Sequence, residues 1–416
     1  MDRVPTRVPT REQWKKLNRF ADLPAPSSLR VRYALHGAGD TKVVLIMGLT
    51  MPMEAWRAQV MHFDALNQHA RATRGRDEFQ VCVFDNRGIG LTEPKTLASS
   101  TSTMAIDTLL LLGHLRWTRR VHIVGIALGG MVAQELVLRA PPRLCASLTL
   151  VNTHAGGLAA FAPWKGVREL ICSLGERFFV GTSSDALPRH MFNMMWGKTV
   201  TEEDSVKYND IVGRLKSEVQ ANEPMCFVGF MSQFLAVERH HVSCARLRLL
   251  GVSGLPVYIC FGPNDSIVHQ RNSPLMFTCI TGRTPTLQPS EHKGAQVCQH
   301  RNVRLERYDK VGHWLIEEWA SHFNQELTTH IRSAQQRRRT HVPVALPGLG
   351  IHWRTLVSII LWLLAIRVAK RSQRMQRWFK ALLGFSWCTV GTPGPWTSVR
   401  CANKGMFTRA MRAGPC

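Results

Sequence analysis

Short apolar runs along the chain share one design, in that each stops at a residue suited to a turn. They are Lys42–Met47 before Gly48, Phe79–Phe84 before Asp85-Asn-Arg-Gly, Arg120–Val124 before Gly125, Cys145–Val151 before Asn152, and Leu255–Phe261 before Gly262. Runs that stay apolar without alternation are what strands buried on both faces require. Between them the apolar residues recur at helical spacing, as in Met104–Leu115 and Met131–Arg139. Strand and helix in alternation predict an α/β fold with a mostly parallel central sheet flanked by helices. Its ligand site is expected at the carboxyl ends of the strands.

From about His154 to Leu250 the strand rhythm stops and the pattern reads as several helices, an inserted helical cap. Its apolar residues include Met191, Met194, Met195, Trp196 and Met225, followed by Phe227, Phe230, Met231 and Phe234 at i, i+3, i+4, i+7 spacing. Packing against the main domain is the plainer reading of that stripe, although Met and aromatic side chains also suit an adaptable apolar pocket. Residues Ser266 to Asn302, with Pro274, Gly282, Pro285 and Pro289, read as a long polar connection. The resulting division is an N-terminal extension (1–30), a core in two parts (31–153 and 251–331) around the cap (154–250), and a basic tail (332–416).

Charge changes the picture only at the end of the chain. Of a net charge of +24 over 416 residues, Ile331 to Cys416 supplies 15 Lys and Arg with no Asp or Glu. Hydrophobic residues make up 45% and charged residues 20%, which suits a chain that buries a core. Eleven cysteines are scattered singly, without CxxC pairs, and indicate neither a disulfide framework nor a zinc site. The start, MDRVPTRVPTREQWKKL, has no apolar h-region. The default is therefore an intracellular location in a reducing compartment. A mitochondrial presequence is the alternative suggested by the Arg-rich start, against Asp2 and two prolines.

The chemistry concentrates at Gly125-Ile-Ala127-Leu-Gly129-Gly130. A buried strand enters a sharp turn and a helix leaves it, with small residues where the two cross and one residue exposed between them. Around it stand Ile46-Met-Gly48-Leu49-Thr50 with Trp56 downstream, Phe84-Asp85-Asn86-Arg87-Gly88-Ile-Gly90, Phe261-Gly-Pro-Asn-Asp265, and Val311-Gly312-His313-Trp314. In this order and spacing the chain, over Val31 to Ile331, resembles the α/β-hydrolase superfamily, in its esterase, lipase and epoxide-hydrolase-like branch with a helical cap. The resemblance implies Asp265 as the acid that orients a histidine and His313 as the general base. It implies backbone amides of Leu49 and Leu128 as the oxyanion hole, with Gly125 and Gly129 shaping the elbow. The family's usual His before Gly48 is Met47 here, which alters the walls of that hole and leaves its N–H groups.

The nucleophile position holds Ala127, which has no lone pair with which to attack a carbonyl. Three readings stay open at this point. The chain is a hydrolysis-impaired member that binds its ligand, a pseudoenzyme; or it is a serine-independent enzyme in which Asp265 and His313 act as a dyad. In the third, it is an ordinary carboxylic-ester or lipid hydrolase in which Ala replaces Ser. Asp85 and Arg87 read as turn stabilisers, and His240-His241 and Glu317-Glu318 have no metal-ligand spacing or convergent partner. No phosphate-cradling loop is found, and neither a cofactor nor a metal is indicated. The expected ligand is a small apolar molecule or lipid bearing a carbonyl.

In the tail, Thr355 to Ile366 is an uncharged apolar run, followed from Arg367 by a basic segment with Val368, Met375, Trp378, Phe379 and Leu382 tending to one helical face. At 12 residues the run is shorter than the roughly 20 that a spanning helix needs. A basic amphipathic helix with aromatic anchors suits an anionic membrane surface, so segment 355–383 is expected to associate with a membrane from its cytoplasmic face. Nucleic acid is the disfavoured partner, because the run is better matched by lipid than by phosphate. Truncation after Thr340 is expected to abolish co-sedimentation with anionic vesicles; unchanged partition would remove the tail from membrane binding.

Overall fold

The computed structural model describes residues 14, 16–92, 99–157, 163–176, 186–200, 204–221, 227–292 and 294–336. They lie within the first of two units of the chain, Met1–Leu349, and segment 355–383 lies outside the described residues. Among the described residues, ten strands form one sheet in the order β1-β2-β4-β3-β5-β6-β7-β10-β9-β8. They are β1 (Arg19–Asp22), β2 (Arg30–His36), β3 (Thr41–Ile46), β4 (Phe79–Phe84) and β5 (Val121–Ile126), then β6 (Cys145–Val151), β7 (Val257–Phe261), β8 (Gln288–Pro289), β9 (Ala295–His300) and β10 (Val303–Tyr308). The inner six, β4-β3-β5-β6-β7-β10, pair in parallel. The flanking strands on both sides pair antiparallel.

Each inner strand sends alternate side chains to two separate cores. Val44, Ile46, Ile123, Leu148 and Ile259 join one, whereas Val43, Leu45, Val124, Tyr258 and Cys260 join the other. The first is closed by helices α2 (Thr101–His114), α3 (Leu128–Arg139), α8 (Cys244–Val252) and α9 (Asn272–Thr281). The second is closed by α1 (Arg57–Arg74), which supplies Val60 and Phe63, by the short α10 (Leu315–Glu318), which supplies Leu315 and Ile316, and by α11 (Ala320–Gln336), which supplies Phe323, Leu327 and Ile331. This period-two division explains why the strands read as unbroken apolar runs: both faces are dry. Ser100 caps α2 by accepting the Thr103 N–H, as a Ser at that position does. Between β6 and β7 come α4 (Trp164–Gly175), α5 (Ala186–Met195), α6 (Ser205–Ala221), α7 (Phe227–Arg239) and then α8.

Three expectations are corrected. The sheet reaches back to Arg19, into the segment taken as an extension. The polar connection after Ser266 contains α9, with Met276, Phe277 and Ile280 buried, and the β8–β9 hairpin. Pro274 falls in the first turn of α9, where its missing N–H costs nothing, and Gly282 ends that helix at φ +74°. Finally, Cys244 and Cys279 form a disulfide between α8 and α9, a pairing between residues 35 apart that no local spacing announces.

His122 lies inside β5, 1% exposed, with Nδ1 2.8 Å from Ser147 Oγ. Burial, with His330 and Arg120 nearby, pushes its pKa down to about 3. The unfolded imidazole takes up a proton below about 6.5 that the folded one refuses, so this contribution to stability is full above 6.5 and is lost as pH falls through that window. His62, lowered to about 4 by burial and Arg332, acts in the same sense. Asp85, pushed up to about 6 by burial against the pull of Arg32, acts oppositely between about 4 and 6. The difference between the protein and His122→Asn isolates one group. Measured by urea unfolding, the stability difference is expected to shift by about 2 kcal/mol in favour of the variant on going from pH 7 to pH 5.

Candidate active site

The carboxyl ends of β3, β5, β6 and β7 bring the sequence-marked residues toward one another. At the end of β5 the chain turns through Ala127 at φ 51° and ψ −118°, and α3 starts at the next residue. Such a conformation is strained for any residue with a Cβ and is kept only where neighbours enforce it. The enforcement is visible. A Cβ on Gly125 would lie 2.2 Å from the Gly129 carbonyl oxygen, and one on Gly129 would lie 2.0 Å from the Ile46 oxygen, so the helix sits directly against two strands. Ala127 donates its N–H to Val151 at 3.0 Å, and its carbonyl accepts the Thr153 hydroxyl at 2.7 Å and the Gly130 N–H at 3.0 Å.

The Ala127 side chain faces the turn that follows β3, since a Cβ built on Gly48 would be 3.3 Å from its own Cβ. Leu49 follows that glycine, and Leu128 opens α3 on the other side. Amides in the first turn of a helix have no partner within the helix and sit at its positive end. The two residues whose amides the resemblance assigns to an oxyanion hole are thus the chain neighbours of Gly48 and of Ala127. Asn86 fixes the β3 turn through a 2.8 Å hydrogen bond from Nδ2 to the Met47 oxygen.

Asp265 follows β7 and His313 follows β10, and the two parallel strands deliver them to each other: His313 Nδ1 lies 2.8 Å from Asp265 Oδ2. The other Asp265 oxygen accepts the N–H groups of Ile267 and Val268 at 2.7 and 2.8 Å. Both side chains are buried. A carboxylate fixed in this way selects one imidazole tautomer and leaves Nε2 for other chemistry.

Other residues that hold the site were not singled out by sequence. Asn152, read only as the stop after β6, donates Nδ2 to the carbonyls of Gly312 at 3.0 Å and His313 at 2.7 Å, and accepts the Gly262 N–H at 2.9 Å. One side chain thereby ties the acid-bearing and histidine-bearing loops to β6. Its φ of 41° is a conformation that Asn tolerates better than most residues. The Glu317-Glu318 pair, set aside as a metal site for want of ligand spacing and a convergent partner, holds the framework through ion pairs and hydrogen bonds. Glu317 meets Arg57, Arg214 and the Trp314 indole. Glu318 accepts the N–H groups of Gly312 at 2.6 Å and Gly197 at 3.0 Å. Burial raises its pKa against those hydrogen bonds.

Asp85 and Arg87 serve the framework, as expected. Asp85 is fully buried and accepts from Met53 N–H at 2.9 Å and from Arg32 at 3.1 Å, and Arg87 grips Asp107 through two hydrogen bonds of 2.6 and 2.7 Å. From the cap, Met195 and Trp196 share one buried cluster with Ala127, Met47 and Trp314. Gln233 of α7 accepts the Thr50 N–H and donates to the Arg87 oxygen, both at 3.0 Å. A separate cleft of about 500 Å³ lies between α5 and α6, lined by Arg189, His190, Asn193 and Tyr208, and contains none of the residues above. Among the described residues no helix is long and apolar enough to cross a membrane.

A family model described as the alpha/beta hydrolase fold matches residues 41–319. RutD of Azorhizobium caulinodans, named as a candidate carbamate hydrolase, is 33% identical over 123 residues, which are 30% of this chain and 41% of that protein. BpoC of Mycobacterium tuberculosis strain H37Rv, named as a candidate non-heme bromoperoxidase, is 33% identical over 127 residues, 30% of this chain and 43% of its own. The chain therefore spans about two-fifths of the length of these curated relatives. In structure it is similar to a thermophilic esterase from Thermogutta terrifontis with malate bound, with a TM-score of 0.54 at 18% identity, over 76% of this chain and 98% of that one. That likeness is one of fold.

Removing the Asn152 amide leaves the Gly262 N–H and two loop carbonyls without this partner. Asn152→Ala is expected to cost about 3 kcal/mol in urea unfolding and to speed hydrogen exchange at Gly262 before that of the β5 amides.

Proposed function

The chain belongs to the alpha/beta hydrolase family, and from that premise we propose that it has lost the acyl-enzyme route: it binds an apolar carbonyl compound, an ester or lipid, and does not cleave it through residue 127. The observation that carries this reading is Ala127 itself, standing in the strained elbow conformation with a methyl group where a nucleophile would stand. Nucleophilic catalysis needs a lone pair, and alanine has none. What remains suits recognition. The Leu49 and Leu128 amides flank the position, and a ligand carbonyl is the acceptor that such paired donors fit. Apolar walls from Met47, Met195, Trp196 and Trp314 lie in the cluster that contains Ala127, which favours an apolar ligand. The relatives named for hydrolysis support the substrate class only as broadly as a carbonyl or carbamoyl compound.

One observation favours a second reading. The Asp265–His313 contact at 2.8 Å, with Asp265 held by two further amides, retains a general base that the first reading does not use. An oriented imidazole can take a proton from water or from the substrate without any serine. In that case the carbonyl is attacked by water as His313 removes its proton. The basic tail, 332–416, supplies attachment to an anionic membrane surface in either reading.

Hydrolysis of a chain-length series of nitrophenyl esters separates the two. The unmodified protein is expected to bind without turnover, and Ala127→Ser to turn over at least about 10³ faster, because only the nucleophile is missing from a formed site. Adding His313→Ala to Ala127→Ser is expected to remove that gain. Turnover by the unmodified protein that is lost in His313→Ala would replace the first reading with the second.

A further inference from the structure

A second group of chemically capable side chains lies on elements that the candidate site does not use for its chemistry. His322 and Glu326 stand four residues apart on α11, on one face of the helix. Facing them is His292, from the turn between β8 and β9. One ligand atom from each of the three lies within 4.8 Å of the others. The two imidazole rings meet edge to face with centroids 4.1 Å apart, and His292 Nε2 is 3.4 Å from Glu326 Oε1. We infer that His292, His322 and Glu326 form a binding site for a divalent transition metal, with zinc the ion their chemistry fits best.

Two imidazoles and one carboxylate are a donor set that zinc takes readily and that magnesium or calcium, which seek oxygen, do not. Tetrahedral zinc, with bonds of about 2.0–2.1 Å, needs donors about 3.4 Å apart. The three donors must therefore close by up to about 1.4 Å, and the His292 side chain, 47% exposed, has the freedom to move. The surroundings match a metal's outer shell. Glu306 Oε1 lies 3.3 Å from His322 Nε2, and Glu306 is itself held by the Tyr258 hydroxyl at 2.8 Å and by Arg304 at 2.9 Å. A carboxylate behind a ligating histidine fixes the ring and strengthens it as a donor. Glu326 gives its second oxygen to Arg304, which leaves Oε1 toward His292.

The charges point the same way. Glu306 and Glu326, both buried, share one guanidinium, that of Arg304, so two carboxylates face a single permanent cation. A divalent cation supplies the missing positive charge. Bound there, it pins the β8–β9 turn to α11 and acts as a staple.

The test uses the full chain, stripped with EDTA and titrated with Zn²⁺, followed by calorimetry and thermal unfolding. One equivalent is expected to bind with a rise in Tm of several degrees, and Co²⁺ in its place is expected to give the intense visible bands of a tetrahedral site. His292→Gln, at a half-exposed position, is expected to leave the metal-free Tm unchanged and to weaken zinc binding by at least about tenfold. Glu326→Gln is expected to weaken it likewise, and His69→Gln, at an exposed histidine on α1, to leave it unchanged. No rise in Tm with zinc, an equal rise with Mg²⁺, or a rise undiminished in both His292→Gln and Glu326→Gln would overturn the site.

Discussion

Where α3 crosses the ends of β3 and β5, there is no space for a side chain at Gly125 or Gly129, and the geometry of the candidate site follows from that crowding. Backbone pressed against backbone at 2.0–2.2 Å from where a Cβ would stand forces Ala127 into positive φ. The same crossing delivers the first amides of α3 beside the Gly48–Leu49 turn, and the hydrogen bonds of Ala127 to Val151 and Thr153 lock it to β6. Strain of this kind costs of order 1–3 kcal/mol and persists because the surrounding packing over-determines it. An alanine at position 127 relieves none of it. The elbow is a property of the glycines and the strand ends, so the chain keeps the shape of a nucleophile's seat with alanine in it.

The polar half of the site is arranged on a different principle. Asp265 is buried yet satisfied on both oxygens, by two backbone amides on one and by His313 on the other. Buried carboxylates without such partners are expensive, so the loop after β7 is shaped around this side chain. Asn152 extends the arrangement by holding both loops to the strand between them. A dyad orientated at this depth is preorganised whether it serves proton transfer or only recognition of a polar group. Its geometry is therefore compatible with both readings of function, and the identity of residue 127 is what weighs between them.

The fold was legible because the inner strands are buried on both faces: Lys42–Met47, Phe79–Phe84 and Cys145–Val151 coincide with β3, β4 and β6 almost to the residue. The elbow was marked by its small residues, whereas Asp265 and His313 were marked only by the resemblance of their motifs, and the structure brings those two side chains within 2.8 Å. What escaped the sequence was half-buried or tertiary. β2, with Arg30 and Arg32 among its apolar residues, does not read as a buried strand because Arg32 is paired with Asp85 and Glu54. α9 was hidden by Pro274, which marks a loop unless its place in a first turn is known. The roles of Asn152 and Glu318, and the Cys244–Cys279 bond, depend on partners far along the chain, and no local spacing encodes such partners.

The cap is fastened to the very loops that carry the site. Trp314 donates its N–H to the Met195 oxygen at 2.9 Å, Lys198 donates to Lys310 at 2.6 Å, and Glu318 accepts from both Gly197 and Gly312. This stitches the segment after α5 to the His313 loop. At a second point, Gln233 bridges the turns after β3 and β4, and Gly229 packs so closely on Gly88 that a Cβ on it would lie 2.0 Å from the Gly88 oxygen. Displacement at the first seam pulls on the His313 loop, and displacement at the second pulls on the turn that bears Leu49. The segment between β6 and β7 and the loops that bear Leu49 and His313 are thus coupled mechanically, and close packing transmits a shift in one to the other.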